Sequence, residues 1–205
     1  MVDLGSLEIM GVLSRATNTI AEGEVMQLTN IGNCDLNEAE YREVIRCKTA
    51  LLFEATSHTG ALLASQQVSE IDAEHVESMR RFGLHFGLAY QLLDDWLDYR
   101  GDSESMGKNV GDDLAEGKLT LPLIYALQNA DATDQAAVRD AVESKNVAML
   151  GDILRVGDQC GALDYTKTCA QQEIETALHY LNQIPDNDYQ QALIQLSHYS
   201  LSRLG

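Results

Sequence analysis

Only two prolines, Pro122 and Pro185, interrupt the 205 residues of this chain. Residues 1–121 carry none at all, so nothing in that stretch blocks a helix by removing a donor or clashing with the preceding turn. Residues that lose little on entering a helix (Ala, Leu, Glu, Gln) are abundant. No segment alternates apolar and polar residues as a half-buried strand does. The apolar spacing predicts helices near 4–30, 37–66, 71–99, 120–130, 134–143, 147–159, 162–183 and 187–203. Thr120 two residues before Pro122 reads as a helix start, and Asp186 reads as the N-cap of the last helix. The fold class is all-α, in a single helical domain spanning 1–205. There is no internal repeat or low-complexity tract, and the one long break is a lid-like loop over 100–118.

The stretch Gln91-Leu-Leu-Asp94-Asp95-Trp-Leu-Asp98-Tyr99 places three carboxylates in an otherwise apolar run from Phe86 to Tyr99. On a helix, Asp94 and Asp98 share a face with Asp95 beside them. Like charges at that spacing oppose the helix by roughly 0.2–0.5 kcal/mol even when exposed. Partial burial raises the cost to several kcal/mol per uncompensated charge. A hard divalent cation with oxygen ligands relieves this best; a solvated acidic edge is the plainer reading.

Residues 100–118 read RGDSESMGKNVGDDLAEGK, with Gly107-Lys108 and Gly117-Lys118. A loop this long in a compact domain is usually functional or a linker. Lysines in it, beside carboxylates, suit a mobile lid that holds an anion against metal; a solvated linker is the alternative. It is not a P-loop: five residues separate each glycine pair where four are needed, and no Ser or Thr follows either lysine. Upstream, Lys48-Thr49-Ala50 lies in an amphipathic run, where a lone lysine most often snorkels to solvent. The small residues from Ala55 to Ala61 allow a close neighbour.

Taken together and in this order, KTA, YQLLDDWLD and GKNVGDDLAEGKLTLP resemble the trans-isoprenyl diphosphate synthases, most closely the octaprenyl or polyprenyl type. The Ile20–Leu28 segment is similar to the same subgroup, and the resemblance runs from Leu4 to Arg203. It implies an isoprenoid-synthase-like helical bundle and a prenyltransferase of isoprenoid biosynthesis. Asp94, Asp95 and Asp98 would be the second aspartate-rich motif, binding Mg²⁺ on the allylic diphosphate. Lys48, Lys108 and Lys118 would contact that diphosphate, with Thr49 and Gln91 near the reacting carbon and its leaving group.

The family's first aspartate-rich motif lies well over a hundred residues before the second, yet no DDxxD precedes Asp94 here. Asp112-Asp113 falls in the lid-like loop, and Asp35, Glu38 and Glu40 are scattered. The resemblance is therefore to the C-terminal portion of such an enzyme, a bundle truncated at its N-terminal side. That portion supplies the allylic diphosphate site and is expected to be inactive alone. A non-catalytic subunit or interaction protein that keeps the scaffold is the alternative. Apolar faces left without their cover point to a homodimer, or to association with a chain that supplies the missing half.

A net charge of −18 excludes nucleic-acid binding through a basic face and docking on anionic lipid. Cys34, Cys47, Cys160 and Cys169 show no CxxC or zinc spacing and read as reduced thiols, and the five histidines read as packing or surface residues. No leader or apolar run of ~18 residues is present, so a cytoplasmic location is expected.

Overall fold

The computed structural model describes residues 5–100 and 110–204. Ser6 caps α1 (Leu7–Thr29) by accepting from the Ile9 N–H. Asn37 and Glu40 form a reciprocal capping box that starts α2 (Glu38–Ile45). The chain then makes a π-helical turn, Arg46–Ala50, closed by the Leu51 N–H donating to the Arg46 carbonyl, and continues into α3 (Leu51–Ser65). The single helix expected over 37–66 is thus two helices joined through a widened turn. Next come α4 (Ala73–Arg100), a short α5 (Asp112–Glu116), α6 (Leu121–Asn129) and α7 (Ala132–Ser144). A 3₁₀ turn over Val147–Met149 leads into α8 (Leu150–Cys160), and α9 (Ala162–Leu181) and α10 (Asp188–Ser202) complete the order. Thr120 does start α6, although its hydroxyl makes no cap bond. The last helix is capped by Asn187, which accepts from Tyr189 and Gln190, one residue beyond the expected Asp186.

Helix α4 is the axis of the bundle, with α3 along one side and α9 along the other. Its sequence explains why. Phe82, Phe86, Ala89 and Leu93 recur at helical spacing, and Leu92, Asp95 and Tyr99 form a second buried row. Two apolar rows leave little surface for solvent, so the helix is covered from both flanks. Phe82, Phe86 and Ala89 meet Ile174, Ala177 and Leu181 of α9. Val76 joins Ile9, Val12 and Ala16 of α1 and Ala61 and Leu62 of α3. Leu92 and Leu93 enter the largest cluster, with Leu121, Ile124, Val138, Val142 and Val156. Each fully buried Leu or Ile contributes roughly 1.5–3 kcal/mol, so α4 alone fixes three faces of the core.

Contact between the π turn and α4 is close enough to require glycine. A Cβ on Gly87 would lie 2.6 Å from Ala50 Cα. That brings α4 up against the π turn. A polar rivet joins the other flank: Glu173 of α9 receives Arg42 of α2 at 3.1 Å and His85 of α4 at 2.8 Å. All four cysteines are free, three of them buried. Among the described residues no helix is long and apolar enough to cross a membrane.

Candidate functional site

The π turn and the C-terminal half of α4 face each other across a cavity of about 240 Å³, closed at one end by α5 and the start of α6. A π turn fits one extra residue into a helical turn and so redirects the side chains at that point. Here it aims Lys48 and Thr49 into the cavity, opposite Gln91, Asp94 and Asp95. Asp113 and Lys118 enter from the strap around α5.

A chain of hydrogen bonds fixes one wall. The Thr49 hydroxyl donates to Gln91 Oε1 at 2.8 Å, and Gln91 Nε2 donates to Asp95 Oδ1 at 2.8 Å. The Tyr41 hydroxyl donates to the other oxygen of Asp95, Oδ2. Asp95 is only 1% exposed. Burial and then the nearby charge of Asp113 hold its carboxyl well above the usual range, against the pull of the two donors. Burial and the Asp95 charge likewise push the Tyr41 hydroxyl up.

The strap is tied at both ends. Its glycines Gly111 and Gly117 are left-handed, at φ 86° and 73°. A side chain at Gly111 would be strained by that backbone and would also strike Leu150. The Gly111 N–H donates to the Asp98 carbonyl at 2.8 Å, and the Gly32 N–H to the Gly117 carbonyl at 2.8 Å. Leu114 is fully buried beneath. Lys118 Nζ sits 3.3 Å from Asp113 Oδ1 and 2.7 Å from Glu116 Oε2. Burial alone would lower its ammonium, but these carboxylates more than offset that and hold it above its ordinary range. Lys48 Nζ donates to Gln27 and lies 3.3 Å from Glu24 Oε2.

Six of the eight site residues expected from sequence therefore gather around one cavity: Lys48, Thr49, Gln91, Asp94, Asp95 and Lys118. Lys108, with residues 101–109 of the loop, lies outside the described residues. Asp98 stands behind the wall, half-buried. Its Oδ1 accepts from the Asp112 N–H at 3.1 Å and its Oδ2 from the Asp113 N–H at 3.2 Å. Burial, then the charge of Asp113, raise its carboxyl to about 7. Asp113, Tyr41 and Gln27 line the cavity without having been singled out in the sequence. Tyr41 lies seven residues, two helical turns, before Lys48, and Asp113 five residues before Lys118; those spacings were the available signals.

The donor set is oxygen-rich and hard. Burial keeps Asp113 above its usual range as well, despite Lys118. A divalent cation here would offset the burial that holds these carboxyls above their usual range. Among the described residues no three acidic, His or Cys side chains converge tightly enough to cage a metal unaided.

Known proteins share this arrangement of helices. The crystal structure of a decaprenyl diphosphate synthase from Rhodobacter capsulatus superposes with a TM-score of 0.91 at 35% identity, over 100% of this chain and 62% of that one. A polyprenyl synthase from Caulobacter crescentus CB15, complexed with calcium and isoprenyl diphosphate, superposes at 0.90 with 38% identity, again over 100% and 62%. The octaprenyl diphosphate synthase of Escherichia coli K12 is 41% identical over 204 residues, 99% of this chain and 62% of its own length. The chain thus spans about three fifths of the relatives it matches. The polyprenyl synthetase family model matches residues 1–156. With motifs, fold and family model in agreement, the chain belongs to the polyprenyl synthetase family, as a C-terminal portion of a trans-prenyl synthase.

Proposed function

We propose that the chain supplies the Mg²⁺-dependent allylic diphosphate site of a long-chain polyprenyl diphosphate synthase. The observation that carries this reading is the meeting of two lysines, Lys48 and Lys118, with Asp94 and Asp113 around one cavity. Lysines attract the diphosphate oxygens, and Asp94 and Asp113 offer the oxygens that hold Mg²⁺ against them. Mg²⁺, when bound, neutralises the charge that builds on the departing diphosphate. Lys48 and Lys118, with Lys108 as a third, stabilise the same charge where it develops. Thr49 and Gln91 are locked to each other and to Asp95, which keeps their polar atoms at fixed positions beside the leaving group. The Caulobacter relative, solved with calcium and isoprenyl diphosphate, supports a hard divalent cation and a prenyl diphosphate as the pair bound here.

Only one DDxxD occurs in these 205 residues. Charge stabilisation is needed at both substrates, so the chain by itself does not condense them. In this reading it works in the cytoplasm as a homodimer, or with a chain that supplies the other half of the site. Exposed Val25 and Leu28 of α1 and Leu52 of α3 suit such a contact. The same single motif favours a second reading, a non-catalytic subunit that retains the scaffold.

Calorimetric titration with Mg²⁺ and geranyl diphosphate tests the site. Binding is expected, with EDTA abolishing it and the double variant Asp94→Asn plus Asp113→Asn weakening it at least tenfold. Equal affinity in that variant removes the assignment. Turnover of isopentenyl and geranyl diphosphates by the purified chain would refute its inactivity.

A further inference from the structure

We propose that Asp98 is a positioning residue, the pin that sets Asp113 into the cavity, and that it does not touch the metal or the diphosphate. The proposal rests on the reading above that Asp94 and Asp113 face the ligand. The DDxxD spacing treats its three carboxylates as equivalent, and the geometry separates them. Asp94 lines the cavity. Asp95 lends one oxygen to Gln91 and the other to Tyr41. Asp98 lends one oxygen to the Asp112 N–H and the other to the Asp113 N–H, and it is absent from the cavity wall.

The reason lies in the local sequence of the strap. A helix leaves its first N–H groups without intrahelical partners, and the residue before it normally caps them with a side-chain oxygen. The residue before α5 is Gly111, which has no side chain and makes no cap bond. Asp98, on a different helix, supplies both missing acceptors. Its carbonyl takes the Gly111 N–H too. Three consecutive residues, 111 to 113, are therefore tied to one residue of α4, which is the rigid axis of the bundle. The Lys118 N–H closes back on the Asp113 carbonyl at 2.9 Å. Asp113 is thus referenced to α4 on one side and to Lys118 on the other. Without the Asp98 carboxylate, the Asp112 and Asp113 N–H groups lose the acceptors they have among the described residues, and the Gly111–Asp98 backbone bond remains as the tie to α4.

The test uses the full chain and two measurements. Amide hydrogen exchange without metal or diphosphate compares wild type, Asp98→Ala, Asp98→Asn and Asp94→Asn. Loss of a cap predicts exchange at Asp112 and Asp113 faster by roughly threefold to thirtyfold in Asp98→Ala. Asp98→Asn is intermediate, because an amide oxygen still accepts, and Asp94→Asn leaves those amides unchanged. Unaltered exchange in Asp98→Ala overturns the proposal. Calorimetry with Mg²⁺ and inorganic diphosphate follows. Disturbing a group that orients a ligand typically weakens metal binding ~10- to 100-fold, which is expected for Asp98→Ala. Asp98→Asn should recover part of the affinity, since its one carbonyl oxygen still accepts one of the two N–H groups. If Asp98→Asn binds as weakly as Asp98→Ala while its amides remain protected, Asp98 is a direct ligand and the proposal falls. If wild type binds nothing, the site reading fails, and the exchange measurement still decides whether Asp98 is the pin.

Discussion

Substituting Gly87 by alanine tests whether the π turn and α4 are as closely apposed as the structure requires. The new Cβ would lie 2.6 Å from Ala50 Cα and 3.1 Å from both Ala50 Cβ and the Ala50 carbonyl oxygen. None of these atoms is the free end of a flexible side chain, so the helices themselves must part. Reaching an ordinary contact of about 3.4 Å takes a shift of about 0.8 Å (3.4 minus 2.6). Overpacking of this kind costs ~1–3 kcal/mol. Alanine recovers ~1 kcal/mol through helix propensity and a less disordered unfolded chain. The net effect is a loss of up to ~2 kcal/mol, which for a chain of this size lowers the melting temperature by up to roughly 8 °C. Gly60, in the middle of α3, provides the control, because a Cβ there meets nothing within 4 Å. Gly60→Ala should raise the melting temperature by roughly 1–4 °C. Both variants are melted by calorimetry beside wild type at one protein concentration. A Gly87→Ala protein that melts above wild type, as the Gly60→Ala control should, refutes the close approach.

Tyr41→Phe removes one of the two donors to a carboxyl buried to 1% exposure, and should cost ~1–3 kcal/mol in urea unfolding; an unchanged midpoint would mean that the Tyr41–Asp95 bond contributes nothing. Without metal, stability should fall as pH rises from about 4 towards 7. Asp98 is raised from 3.8 to about 7 by burial and Asp113, so the folded state binds its proton more tightly than the unfolded chain; that stabilisation is complete below 3.8 and lost through 7. Urea midpoints at pH 4.5, 6 and 7.5 check this, and a midpoint that climbs across the range contradicts it. Cation binding must displace those protons. Titrating Mg²⁺ and diphosphate at pH 6.5 in buffers of different ionisation enthalpy should therefore reveal proton release, and identical heats in all buffers would count against a carboxylate site.

The helices were legible in the sequence because period and caps agree. The apolar spacing placed helices near 71–99 and 162–183, and Thr120 before Pro122 marked the start of α6 without tertiary help. Two features were not legible. The π turn at Arg46–Ala50 shifts the apolar phase by one residue, less than a window of 11–18 residues resolves. Helix α5 has five residues between two glycines, so its composition reads as loop. That single omission carried Asp113 with it. For Asp94, Asp95 and Asp98, spacing established a shared helix face. Which oxygens remain for a ligand depends on Tyr41, Gln91 and the strap, all contacts made by the fold.

The π turn also has a meaning in terms of chain length. A helix that widens for one turn is carrying a surplus residue. Deleting Cys47 would let α2 and α3 close into one unbroken helix with a regular ladder. Because the widened turn takes up that residue within a single turn, α2 and α3 would keep nearly the same mutual orientation. Tyr41 would stay near Asp95, but the side chains of the turn would no longer be redirected across at α4. The shorter chain would form the better helix and the poorer site. One residue of length thus separates a scaffold from a binding surface, and a search for stabilising deletions in this fold would find the loss of function first at Arg46–Ala50.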